Sequence, residues 1–296
     1  MRQTEFGPAG TAEAGPAAGA GTAGEAVAAA GTEGAKGRPQ RAFIRWTEAA
    51  GSGPARVYLH GLGAASGPYF AHIAAHPALA GRRSLFVDLP GFGISDRPAD
   101  FGYSLEEHAD AVAAVLDAAG VHGAEVVGHS MGGAVAIVLA HRRPDLVSRL
   151  VLAEANLDPN PPAGPGSSGV ATYTEREFVH GGGFAATLQR VGPTWRATMR
   201  LADPVALHRS ATGLVRGSEP TMRTMLLAMD IPRTFLVGEL SGDVDGRAEL
   251  VAAGVAVETV AGAGHNIMFD NPDALADVLA GAVRAGAVRD GSAVAR

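Results

Sequence analysis

"AEVVGHSMGGAVAIVLAHRR", residues 124–143, decides the fold. Its first part is a short apolar run rich in Val, the pattern of a buried strand. Its second part reads as an apolar helix that Pro144 stops. Between them lie Gly128, Ser130 and Gly132 in the spacing G-x-S-x-G. That spacing is weak evidence alone in a chain with 41 glycines. At a strand end that opens a helix it gains meaning, because such a sharp turn forces the serine out above the sheet. Small residues flank the serine since a larger side chain would collide across the turn. The helix N-terminus behind it supplies the Met131 N–H and a positive dipole end for a developing oxyanion.

Outward from this stretch, short apolar runs alternate with helical patterns. "AFIRWTE" (42–48) and "ARVYLHG" (55–61) read as strands joined by the turn "AAGSGP" (49–54), and "SLFVDLPG" (84–91) as a third. "YSLEEHADAVAAVLDAAG" (103–120) is a helix with a capping box, Ser104 with Glu107. After residue 143 come the strands "SRLVLAEA" (148–155), "RTFLVGE" (233–239) and "VAVETVAG" (255–262), then the helix "NPDALADVLAGAVRAG" (271–286). Strands alternating with helices imply an α/β fold with a mostly parallel sheet covered on both faces.

Two segments break the rhythm. Residues 157–230 hold no strand-like run. They open on "DPNPPAGPGSSG" (158–169) and continue as helical patterns, the signature of a helical cap inserted after a strand end. Phe178, Trp195, Met199 and Met225 are candidate substrate contacts there, although such residues more often form a cap's own core. The first 38 residues are Ala, Gly, Thr, Pro and Glu with almost nothing bulky, so a disordered tail is expected over 1–38. The core is then expected over 39–156 and 231–296.

Composition sets outer limits. At 296 residues and 47% hydrophobic the chain can bury a large core, and its net charge of −6 with no basic block argues against a nucleic-acid partner. With no cysteine there is no thiol catalysis, disulfide or zinc–thiolate site. Gly, Pro and Glu interrupt any signal-peptide core, and no apolar run is long enough to span a membrane, so a cytoplasmic protein without metal or organic cofactor is expected.

The chemistry-bearing residues fall at strand ends. "HGLGAASGPYF" (60–70) follows a strand and offers the Leu62 N–H as a second oxyanion donor, with His60 as wall of the site. "VAGAGHNIMFDNP" (260–272) follows the last strand and places His265 as general base. His72, His76, His108, His122, His141, His180 and His208 sit in helical or loop stretches and read as solvated.

Taken in order, "LHGLG" (59–63), "VDLPGFGISDRP" (87–98), "GHSMGG" (128–133) and "GAGHNIMFDNP" (262–272) resemble the α/β-hydrolase family, capped serine hydrolase branch. The resemblance covers about Arg41 to Ala285. It implies a Ser130–His265–acid triad, and structural roles for Asp88, Ser95 and Asp96. Most capped relatives carry an Asp three residues after the glycine that ends strand seven, where this chain has Ser241. A minority, including some haloalkane dehalogenases, take the acid from the end of strand six. Glu154 stands there, so it is the expected acid, with Asp243 the alternative and Glu239, Asp245 or no acid behind.

The dehalogenases and epoxide hydrolases that share the cap use an Asp nucleophile, which Ser130 argues against. The expected activity is hydrolysis of an ester, thioester or lactone through an acyl-enzyme, on a small to medium acyl or aromatic substrate. Alternatives with the same triad are a C–C bond hydrolase, in which Arg190, Arg196 or Arg200 would hold a substrate carboxylate, and a cofactor-free haloperoxidase or perhydrolase. A non-catalytic ligand receptor on this fold is the alternative from another class.

Overall fold

Eight strands form one sheet in the computed structural model, which describes residues 1–6, 41–159 and 166–287. They are β1 (Arg2–Phe6), β2 (Ala42–Ala49), β3 (Ser52–Leu59), β4 (Arg82–Asp88), β5 (Ala124–His129), β6 (Val147–Ala153), β7 (Arg233–Gly238) and β8 (Ala256–Val260). Their spatial order is β1-β2-β4-β3-β5-β6-β7-β8. β2 runs antiparallel to both β1 and β4, and every other neighbouring pair is parallel. The helices are α1 (Ser66–Ala74), α2 (Leu105–Ala118), α3 (Met131–Arg142), α4 (Glu175–His180), α5 (Gly183–Arg190), α6 (Pro193–Met199), α7 (Pro204–Arg216), α8 (Met222–Ala228), α9 (Arg247–Ala252), α10 (Ile267–Asp270) and α11 (Pro272–Ala287).

The apolar runs are buried on both faces because successive residues point to opposite sides of a sheet. Val57, Val126, Leu150 and Phe235 pack in one cluster with α2 and α3. Tyr58, Val127, Val151 and Leu236 pack in the other with residues of α1 and α11. The C-terminal ends of the parallel strands therefore meet along one rim, and α4 to α8, the insertion between β6 and β7, touch the loops of that rim. Asp203 N–H donates to the Gly91 carbonyl, and Arg209 donates to the carbonyls of Ala99 and Phe101. Among the described residues no helix is long and apolar enough to cross a membrane.

Three expectations need correction. Residues 1–6 are not part of a disordered tail, because β1 pairs with β2 and Phe6 is buried, edge-on to Phe101 at 5.1 Å. The core therefore begins before residue 39. Residues 7–38 lie outside the described residues. The turn read at 49–54 is shorter, since β3 starts at Ser52, and β4 lies between β2 and β3. His108 and His208 are buried rather than solvated, since α2 and α7 face each other. His108 Nε2 lies 3.0 Å from Ser210 Oγ, and His208 Nε2 lies 2.8 Å from the Tyr173 carbonyl.

Candidate active site

Ser130 sits between β5 and α3 with φ 51° and ψ −121°. A non-glycine residue in this region is strained by roughly 1–2 kcal/mol, so the surroundings must hold it. Its N–H donates to the Ala153 carbonyl at 3.0 Å, tying the turn to the end of β6. Gly132 lets the turn close, because a Cβ there would stand 2.4 Å from the Leu59 carbonyl oxygen. Ser130 Oγ is 3.5 Å from Asn156 Oδ1, the outer limit of a hydrogen bond.

The loop after β3 lies directly against this turn. A Cβ on Gly61 would stand 3.2 Å from Ser130 Cβ, so glycine allows the close approach. His60 is fully buried and fixes the loop's start: its Nδ1 donates to the Gly61 carbonyl at 2.8 Å and its Nε2 accepts the Leu89 N–H at 3.0 Å. Burial pushes its pKa down, which favours this neutral form. Asp88 accepts the N–H groups of Ser66 and Ile94, Ser95 donates to the Asp88 carbonyl, and Asp96 accepts the Phe43 N–H. These three polar residues brace the rim.

His265 and Glu154 come together across the same rim. Glu154 terminates β6 with φ 52°, a kink that turns its side chain toward β7 and the loop after β8. Oε1 accepts the Gly238 N–H at 2.6 Å, and Oε2 lies 3.4 Å from His265 Nδ1. Burial pushes the Glu154 carboxyl up, but His265, the Gly238 N–H and the Ser241 hydroxyl outweigh it and hold the pKa below the usual range. Ser241, standing where an Asp was expected, therefore supports the carboxylate on the neighbouring strand. Among the described residues no hydrogen bond joins His265 to Ser130, and the His265 side chain is 51% exposed.

Two other carboxylates of the loop after β7, Asp243 and Glu239, are occupied elsewhere. Asp243 pairs with Arg247 at 2.6 Å and accepts the Val244 N–H, and these contacts lower its pKa. Glu239 accepts the Gly262 N–H at 2.8 Å, which braces the loop that carries His265. Asp245 uses its carbonyl to accept from Arg223.

Two neighbours escaped the sequence reading. Asn156 was hidden in a loop with no motif. His129 lay in plain view beside the serine, and its buried Nε2 donates to the His265 carbonyl at 2.9 Å. Burial pushes its pKa down to about 3, so it is a neutral donor that holds the histidine loop.

In the insertion, Trp195 Nε1 donates to the Leu62 carbonyl at 2.7 Å, fixing the loop that follows β3. Met199 is fully buried, and its Cε would lie 3.0 Å from a Cβ on Gly63. Phe178 is fully buried between Tyr173, Phe184 and His208, and Met225 is buried in the same core cluster, so both hold the insertion together. Arg190 lies beside Thr187 Oγ1 at 3.4 Å, Arg196 donates to the carbonyls of Gln189 and Val191, and Arg200 is exposed. The buried His108–Ser210 pair joins the insertion to α2, and burial pushes His108 down to about 3. Among the described residues no group of three or more His, Asp or Glu could hold a metal.

Residues 55–176 match the sequence profile of the alpha/beta hydrolase fold. The chain has the α/β-hydrolase fold. Over 102 residues the chain is 40% identical to a 2-hydroxymuconate semialdehyde hydrolase of Pseudomonas putida, a match covering 34% of this chain and 36% of the relative. The chain thus spans little more than a third of that relative's length. An esterase of Mycobacterium tuberculosis is 29% identical over 272 residues, covering 80% of this chain and 84% of the esterase. The enol-lactonase of Burkholderia xenovorans shares the fold with a TM-score of 0.67 at 20% identity, covering 82% of this chain and 97% of that one.

Proposed function

We propose that this α/β-hydrolase cleaves an ester or lactone through an acyl-enzyme, with Ser130 as nucleophile, His265 as general base and Glu154 as the acid that orients it. The observation that carries the reading is the placement of Glu154, held by Gly238 and facing His265 Nδ1 at 3.4 Å. With Nδ1 engaged, Nε2 is the nitrogen left to take a proton. Substrate entry turns the Ser130 hydroxyl from Asn156 toward His265. Contacts of this kind commonly tighten only when substrate binds. Ser130 Oγ attacks the carbonyl, His265 takes its proton, and the Leu62 and Met131 N–H groups receive the oxyanion. His265 then gives the proton to the leaving alcohol, and water repeats the cycle to free the acid.

The similarity to the semialdehyde hydrolase favours a second reading, C–C bond hydrolysis, over the matched segment. That chemistry asks for a cation against a substrate carboxylate, and Arg196 is already bound to two carbonyls while Arg200 is exposed. Ester or lactone cleavage asks for no such group. A panel of p-nitrophenyl esters, lactones and dienoates separates the readings. Turnover of esters or lactones that is lost in Ser130→Ala supports the proposal. Turnover of the dienoate alone supports C–C cleavage, and turnover of none supports a ligand receptor.

A further inference from the structure

The end of the sheet opposite Ser130 carries a row of charge on the N-terminal parts of β4, β3, β5 and β6. The register sets Arg56 beside Glu125 and Glu125 beside Arg149, and Arg82 opens β4. Arg56 is fully buried, its Nε bound to Glu125 Oε1 and its Nη2 donating to the Leu279 carbonyl at 3.2 Å. Arg149 Nη2 donates to Thr234 Oγ1, and its Nε lies 3.7 Å from Glu125 Oε2, too far for a hydrogen bond.

Three donors remain: Arg56 Nη1, Arg82 Nε and Arg149 Nε are buried without a hydrogen-bond partner of good geometry, and the buried Tyr58 phenol is the polar group that acts on Arg56. Three guanidiniums thus share one buried carboxylate. Glu258 acts on Arg149 from an exposed position. Burial pushes both Arg82 and Arg149 below the ordinary arginine range, a sign of charge that lacks full compensation. A buried donor left unmade costs about 1–3 kcal/mol and more when charged, so such a row is expensive without an anion. A register-fixing ion pair would need only Arg56 and Glu125. Arg56 and Arg82 line a cavity of about 220 Å³ together with Ser52, Leu79 and Gly81. That is room enough for a phosphate group and part of its hydration.

We propose that this cavity is an anion site that takes a phosphate-type dianion on Arg82, with the buried Arg56 guanidinium behind it as a second positive charge. The guanidinium fork matches two oxygens of such a group, and the row, three arginines against Glu125 and Glu258, keeps a net positive charge. The site is independent of the reading of Ser130.

The test is thermal unfolding of the full chain in inorganic phosphate and in chloride at matched ionic strength, with titration calorimetry to measure affinity. Phosphate raises the melting temperature of the wild type, and Arg82→Gln weakens its binding at least tenfold. Ser52→Asp, which adds a carboxylate to the cavity wall and leaves the arginines in place, raises the melting temperature in chloride and removes the phosphate response. Methyl phosphate distinguishes the source: binding of both probes marks a phosphomonoester end group, and binding of phosphate alone marks the free ion. Equal melting in phosphate and chloride overturns the proposal. So does a phosphate response that survives unchanged in both variants.

Discussion

Glu154→Gln is the substitution most sensitive to the chemistry proposed for the rim. The carboxylate accepts the Gly238 N–H at 2.6 Å through Oε1 and faces His265 Nδ1 at 3.4 Å through Oε2. In the amide, the oxygen stays on the shorter Gly238 bond, so the NH₂ group points at His265. A donor then meets a donor unless the imidazole carries its proton on Nε2 instead. In that tautomer Nε2 cannot take a proton from Ser130. In serine proteases the corresponding Asp-to-Asn exchange costs about 10⁴ in kcat. The contact here is longer, and a fall of roughly 10³–10⁴ in kcat is expected on that scale. KM should move little, because Glu154 lies behind the histidine. The assay is steady-state hydrolysis of a p-nitrophenyl ester, with circular dichroism and melting to verify the fold. A well-folded Glu154→Gln within tenfold of wild type would refute the reasoning.

The remaining carboxylates should behave differently: Asp243→Asn and Glu239→Gln each lower kcat less than about tenfold in the same assay, as groups bound to Arg247 or to the Gly262 N–H would. Deleting residues 1–6 should lower the melting temperature by roughly 5–10 °C. Losing the buried Phe6 alone removes about 1.5–3 kcal/mol, and its loss also strips β2 of a hydrogen-bonded neighbour. Acid should destabilise the protein well above the carboxylate range. His108 and His129 are pushed by burial from an ordinary 6.5 down to about 3, so the unfolded chain binds more protons than the folded chain between those values. Their contribution is full above pH 6.5 and is lost as pH falls through that window. Urea unfolding at pH 7 and 5 should show this loss, and His108→Gln should reduce it; an unchanged pH dependence would count against the burial argument.

The serine turn was legible because its demands are local. Strand, small residues and helix occupy 124–143, and each requirement falls within a few residues of Ser130. Glu154 could be reached by a longer route, since a strand that must sit beside the serine's strand brings its end to the rim. What stayed hidden depends on contacts between distant segments. β1 reads as a tail because the 34 residues after it are featureless, and its partner β2 begins at Ala42. His108 looks like a solvated helix residue until α7 brings Ser210 against it. Phe178 and Trp195 look alike in the sequence, yet one ring is enclosed by the insertion and the other reaches the Leu62 carbonyl. The arginines of the opposite sheet end were overlooked for the same reason, being 26 to 93 residues apart in the chain and neighbours only through the register.

The central claim is that Ser130 forms the covalent intermediate. Intact-mass and peptide-level mass spectrometry after treatment with a fluorophosphonate probe measures it directly. One adduct on the peptide carrying Ser130, absent in Ser130→Ala together with ester hydrolysis, is the predicted result. An adduct on another serine, or hydrolysis that persists in a folded Ser130→Ala, would contradict it.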